Sequence, residues 1–293
     1  MYIIEKANIA IENLEKKTSL LVKDNKIYSM KDSYTRNHYI RMDLSDYVMT
    51  PTHVMLDLDS PPTDFQAMKQ YFIENFLLKG CNTMISTFSI QYENQFEEEK
   101  RKKMLFLLNS PIDYIMAVRL PLEKLTTSLI RKCKRNSIPI IFVEINRMED
   151  IFNIAWGWIR EAMFPYNPVL VPIIMSEQKT VKKNLLKLWR EILEKEKISH
   201  VFDEIREKNP IEMKKLKKFG VYPKRGDLSV GSEINYNLYF KADKVDEQAG
   251  IHYDKDKLAV MVHKGSITTV CNMVNFRPGF GEELKIKRTS LFV

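Results

Sequence analysis

Asp57 and Asp59 stand two residues apart at the end of an apolar run, Val54-Met-Leu-Asp-Leu-Asp59. In an extended strand, residues i and i+2 point to the same face, so this pair can aim two carboxylates at one point. Carboxylates suit hard cations such as Mg²⁺, Ca²⁺ or Mn²⁺ better than the zinc or iron of a nitrogen-rich hydrolase site. His53 has the same parity, and if the strand begins that early the three side chains share a face and form a histidine and dicarboxylate metal triad. Glu144 and His38 are further candidates for such a site. A hydrolytic centre would also need a base and a cavity that excludes water. Two carboxylates alone make a poor metal site, and a pair that is only solvated or hydrogen-bonded has the same spacing.

The elements that must hold these residues are written in the hydrophobic pattern. Met1 to Glu12 and Ser19 to Met30 alternate and turn at Asp24-Asn25, which predicts a small antiparallel sheet. From Phe65 to Lys79 the apolar residues Phe65, Met68, Phe72, Phe76 and Leu77 fall at helical spacing, with Gly80 as the stop. Cys81 to Ser89 reads as a strand, and α and β signals follow at Phe96 to Leu108, Ile112 to Leu120, Leu122 to Arg135 and Ile138 to Ile145. Strands separated by helices imply a parallel sheet. After a strand at Val169 to Ile174, a charged helix begins near Thr180. Its apolar side is Leu185, Leu186, Leu188, Trp189, Ile192, Leu193 and Ile198, and the pattern spans Lys182 to Ile205. It packs on the core or binds a partner, and His200 is read as a histidine on its surface. The aromatics of Ile154 to Tyr166 belong to the core, a pocket or an interface. Gly220 is a predicted helix C′ residue that Pro223 follows, and Gly226 and Gly231 bracket a turn before the strand Tyr236 to Phe240.

Several stretches together carry a family resemblance. Tyr47-Val-Met-Thr-Pro-Thr-His-Val-Met-Leu-Asp-Leu-Asp59 resembles the segment with which amidohydrolase-superfamily enzymes of the dihydroorotase, dihydropyrimidinase and allantoinase types enter their barrel, roughly V-x-P-G-x-x-D-x-H-x-H. Pro51 matches the proline. Thr52 stands for the glycine, Met55 for the aspartate, and Asp57 and Asp59 for the two metal-ligand histidines. The clearest match runs from Lys208 to Tyr239, where Asn209, Pro210, Gly220, Tyr222, Pro223, Gly226, Gly231 and Ser232 fall into the dihydropyrimidinase-like pattern. The opening strands, with Asn8 near the end of the first, and the closing Val262-His-Lys-Gly-Ser-Ile267 and Pro278-Gly-Phe-Gly281 resemble the two halves of that family's accessory sandwich. Ser137 to Ile145 resembles its fifth strand, with Val143 at the place of a ligand histidine and Glu144 one residue on, facing the other way. The sixth-strand histidine and the eighth-strand catalytic aspartate find no counterpart.

The resemblance implies an α/β fold, with an incomplete or shortened TIM-barrel-like parallel domain over 51–220 and a small β-sandwich composed of 1–50 and 221–293. From Pro51 to Gly220 there are about 170 residues, whereas a complete eight-fold barrel takes ~250. A shortened barrel exposes strand edges, and either the helix Lys182 to Ile205 or another subunit is expected to cover them.

Composition narrows the function classes. With 293 residues, 44% hydrophobic and 29% charged, the chain is a globular protein of one or two domains with no apolar run long enough to span a membrane. The N-terminus is a strand rather than a signal peptide, and Cys81, Cys133 and Cys271 lack metal spacing, which points to a reducing cytoplasm. Abundant Lys, Ile, Asn and Glu with little Gly and Ala fit an AT-rich bacterial genome. The net charge of +8 comes with basic runs at Lys100 to Lys103, Arg131 to Arg135 and Lys214 to Lys218. Each lies on a predicted helix and reads as a solvated face, and no nucleic-acid motif accompanies them. The expected function is a degenerate amidohydrolase-like protein, without a cofactor, acting as a structural, interaction or regulatory subunit of a homo- or hetero-oligomer. The alternatives are a divalent-metal hydrolase of cyclic amide C–N bonds rebuilt on Asp57, Asp59, His53 and Glu144, and a metal-free small-molecule binder.

Overall fold

The computed structural model describes residues 1–11, 14–35, 38–59, 62–241 and 258–289. Glu12 and the stretches 242–257 and 290–293, expected as parts of the sandwich, lie outside the described residues. The chain divides into two compact units: Met1–Val54, Pro61–Thr83 and Tyr222–Arg277 form one, and Met55–Ser60, Met84–Val221 and Pro278–Val293 form the other.

The N-terminal strands are β1 (Tyr2–Ile11), β2 (Leu14–Lys23), β3 (Lys26–Lys31), β4 (Ile40–Asp43) and β5 (Tyr47–Pro51). Asp24 and Asn25 both take positive φ, which gives the two-residue turn whose twist matches a β-hairpin. In β1 a bulge between Ile4 and Ala7, with Lys6 at φ 52°, shifts the register against β2. Beyond it, Asn8 donates to the Ser45 and Tyr47 carbonyls at 3.2 and 3.1 Å, fixing the loop that leads into β5.

The middle of the chain alternates as its pattern requires. It runs through β6 (His53–Asp57), α1 (Phe65–Asn75), β7 (Cys81–Ser89), α2 (Phe96–Leu107) and β8 (Asp113–Pro121). It continues with α3 (Thr127–Arg135), β9 (Ile140–Ile145), α4 (Met148–Phe152), α5 (Trp156–Met163), β10 (Val169–Ile174), α6 (Lys179–Lys195) and α7 (Met213–Phe219). The predicted helix to Lys79 stops at Asn75, and a tight turn over Leu77–Lys79 leads to Gly80 at φ 71°. Strands β6 to β10 form one five-stranded sheet in sequential order, with β8, β9 and β10 in parallel register. They are buried almost throughout, as expected of parallel strands covered on both faces.

The last strands, β11 (Tyr236–Phe240), β12 (Leu258–His263), β13 (Ser266–Val270) and β14 (Met273–Val274), return to the first sheet. That sheet is ordered β14-β13-β12-β11-β5-β1-β2-β3, with β4 also on β1, so strands from before and after the parallel sheet build it. Its core includes Ile4, Ile9, Leu20, Ile27, Met49, Ile234, Leu238 and Val262.

The helix expected to continue to Ile205 ends at Lys195. The Lys197 amide bonds the Glu194 carbonyl and the Ile198 amide bonds the Leu193 carbonyl, while Lys197 takes φ 54°. That is a Schellman cap with lysine where glycine is usual, so composition alone did not announce it. The freed chain then covers both edges of the open sheet. Leu170 on β10 donates to Ser199 at 3.0 Å and accepts from Val201 at 2.9 Å, and the Glu204 carboxylate accepts from the Ile174 amide at 2.7 Å. Farther on, Lys208 donates to the Leu56 carbonyl of β6 at 2.9 Å, and Glu207 accepts from the Leu58 amide at 2.7 Å. Residues 199–210 thus do in one extended passage what the missing barrel strands would do. His200 is buried beside Leu170 in this passage instead of on a helix surface.

Candidate functional site

The candidate site forms at the carboxyl end of β6, the end where barrel enzymes hold their chemistry. Asp57 is the last residue of that strand and is fully buried, and Asp59 follows at the exposed mouth. Glu207 reaches them from the closing passage, and one oxygen from each of the three carboxylates lies within 4.8 Å of the others. The backbone holds the third carboxylate in place, because the Leu58 amide donates to Glu207 and Leu56 accepts from the next amide. Thr87 of β7 donates to the Leu58 carbonyl at 3.2 Å and steadies the turn between the two aspartates.

Two ammonium groups enter the same cluster. Lys208 ion-pairs with Asp59 at 2.8 Å. Lys103 of α2, only 3% exposed, donates to the Asp59 carbonyl at 2.7 Å. Burial lowers the Lys103 pKa from its ordinary value, opposed by the negative charges of Asp57, Asp59 and Glu207. At Lys208 burial also acts downward, but the Asp59 hydrogen bond and the same three carboxylates prevail and raise its pKa. Three carboxylates and two ammoniums make a nearly neutral cluster in a partly desolvated place, where unpaired charge is costly.

The other candidates stand elsewhere. His53, at the start of β6, is buried and shares a 3.0 Å hydrogen bond with the Tyr239 hydroxyl, and burial lowers its pKa to about 4. Glu144 ion-pairs with Arg119 on the neighbouring strand at 2.6 Å, and both are largely buried. His38 is exposed. Glu207 and Lys208 lie just before the Asn209-Pro210 pair that carried the family pattern, but only the tertiary fold sets them against β6. Lys103 had a sequence signal. It stands seven residues after Phe96 and four before Leu107, on the face of α2 that is buried, so the reading of Lys100 to Lys103 as a wholly solvated run is corrected at this residue.

Catalytic zinc centres are built on three protein ligands that include histidine or cysteine, with carboxylate as an added ligand and one position left open. The cluster offers oxygen donors only, a set suited to Mg²⁺, Mn²⁺ or Ca²⁺. The Lys208 ammonium already bonds one of those oxygens. The residues present do not fit a zinc site of the hydrolase kind.

No family model matches the sequence, and no curated protein matches it. Solved structures do. The chain superposes on D-hydantoinase from Bacillus sp. AR9 with a TM-score of 0.69 at 9% identity, covering 100% of both chains. Dihydropyrimidinase from Brevibacillus agri NCHU1002 gives 0.68 at 10% identity over 99% of both. Atrazine chlorohydrolase from Arthrobacter aurescens TC1, solved in complex with zinc, gives 0.55 at 10% identity over 94% of this chain and 96% of that one. No described helix is long and apolar enough to cross a membrane. The resemblance read from the motifs is therefore real at the level of architecture, and this chain has the fold of the hydantoinases, a shortened parallel barrel with an accessory sandwich.

Proposed function

We propose that this protein is a hydantoinase-fold chain that does not hydrolyse cyclic amides and acts in the cytoplasm as a structural, interaction or regulatory subunit of an oligomer. The observation that carries this reading is the pair of ammonium groups, Lys103 and Lys208, set among Asp57, Asp59 and Glu207. An internal cation supplies the charge compensation that a divalent ion supplies elsewhere, and it offers no Lewis acid to activate water. The test is elemental analysis of protein purified without tag or chelator, followed by Mn²⁺ titration of the wild type and of the Lys103→Met/Lys208→Met variant. The reading expects no stoichiometric metal and no saturable Mn²⁺ binding in the wild type, with binding gained in the variant. Stoichiometric metal that disappears in Asp57→Ala/Asp59→Ala would overturn it.

The carboxylate trio itself favours a second reading, a divalent-metal hydrolase of cyclic amide C–N bonds built on Asp57, Asp59 and Glu207. That reading expects Mn²⁺ to bind the wild type and hydantoin or dihydrouracil to be hydrolysed in its presence. Inactive protein with Mn²⁺ bound would leave neither reading standing.

A further inference from the structure

We propose that a groove at the amino end of the parallel sheet, opposite the carboxylate cluster, binds a phosphate group. The groove has a volume of about 400 Å³, within the range of small-molecule sites. Its charged and titratable lining is Arg160 from the end of α5, Glu194 from α6, Lys197 from the cap beyond α6, His200 from the closing passage and Lys218 from the last turn of α7. Leu170, which pairs with His200, is the second residue of β10, whereas Asp57 is the last of β6, so the two places are at opposite ends of the strands.

Among the described residues the lining carries three cationic side chains, Arg160, Lys197 and Lys218, and one carboxylate, Glu194. The Glu194 carboxylate is engaged by Arg190 at 3.2 Å, and Arg190 in turn stacks on Phe202. Arg160 has only a loose contact with the Glu196 carboxylate at 3.8 Å and a bond to its carbonyl at 3.2 Å. Lys197 has no ion-pair partner among the described residues. Lys218 spends one N–H on the His200 carbonyl at 2.6 Å.

His200 supplies the independent observation. Its Nδ1 donates to the Ile198 carbonyl at 2.7 Å, which fixes the ring, and its Nε2 is buried with no hydrogen-bond partner among the described residues. Buried polar atoms without partners are rare and call for a missing one. Burial lowers the pKa of both His200 and Lys218, with the nearby positive charges of Lys218 and Arg190 adding to the effect at His200 and Lys214 at Lys218. A guanidinium fork with two ammoniums around one opening matches the several oxygens of a phosphate better than a single carboxylate. With Nδ1 donating to a carbonyl, Nε2 of the neutral ring is an acceptor, and a phosphate bound in the groove favours a second proton on the ring, which Nε2 then donates to it.

The experiment titrates the full-length protein with inorganic phosphate at constant ionic strength, following the His200 ring resonance by NMR and heat by calorimetry. Chloride serves as control, and phenyl phosphate is run in parallel. Saturable binding that shifts the His200 resonance, and weakens on the order of tenfold in Arg160→Met and in Lys197→Met, is the expected result. Both variants alter exposed side chains, so folding is retained. Tighter binding of phenyl phosphate assigns the site to an esterified phosphate, and equal binding assigns it to the free anion. A shift equal to that of chloride, or one that both variants leave unchanged, overturns the proposal.

Discussion

Lys103 decides the electrostatic character of the carboxylate cluster, and it does so from inside a helix that looks ordinary in sequence. Removing its charge leaves Asp57, Asp59 and Glu207 with Lys208 alone. Lys103→Met is expected to destabilise the protein by about 3 kcal/mol at pH 7, the scale of a broken buried pair, as read from urea midpoints. His53 gives a second prediction. Its pKa is lowered to about 4 by burial, so the unfolded chain binds more protons between roughly pH 6.5 and 4. The stability it contributes is complete near neutral pH and is lost as pH falls through that window, by up to ~3 kcal/mol. The downward shift at His200 acts in the same direction. In His53→Gln the slope of urea midpoint against pH should flatten over this range, and an unchanged slope would assign the acid sensitivity elsewhere.

The passage over residues 199–210 is the element on which the shortened barrel depends. Trp189 is fully buried on α6 and donates its indole N–H to the Val201 carbonyl at 2.9 Å, which holds the passage against β10. Glu204, paired with Lys182, secures it at the other end of the same strand. Trp189→Ala is expected to cost about 3–5 kcal/mol. In hydrogen exchange it should release the Leu170 and Val201 amides well before those of β8 and β9, and uniform loss across the sheet would contradict this role for Trp189. A second element, the tail from Pro278 to Thr289, fastens the start of β8. Gly281 donates to Ser110 at 2.9 Å, Tyr114 donates to Glu282 at 3.0 Å and Leu284 donates to Tyr114 at 2.7 Å. A Cβ on Gly281 would meet the Ile112 carbonyl oxygen at 1.9 Å. Gly281→Ala should therefore lower stability by about 1–3 kcal/mol in thermal or urea unfolding.

For the whole molecule, the proposed internal compensation of charge predicts that chelator leaves the melting temperature unchanged, whereas a metal-dependent fold loses stability by mass action when the ion is removed. Differential scanning calorimetry with and without EDTA makes the comparison, and a clear fall in Tm would favour the metal reading. The sequence by itself determined the order of elements and the fold class. Alternation around Asp24-Asn25, the apolar stretches at Cys81 to Ser89 and Val169 to Ile174, and the stops at Gly80 and Gly220 are local signals, set by backbone geometry and burial within a few residues. The motif at Asp57 and Asp59 was legible for the same reason. The rest depended on which distant segments meet. The turn at Lys197 carried no glycine to mark it, so the helix pattern overran into Ile198 and His200. Glu207 became a neighbour of Asp57 only because the chain crosses from β10 to β6. Only the tertiary structure closed the shortened barrel and placed lysines among its carboxylates, because edge hydrogen bonds and buried charge must be satisfied by whatever the fold brings within reach.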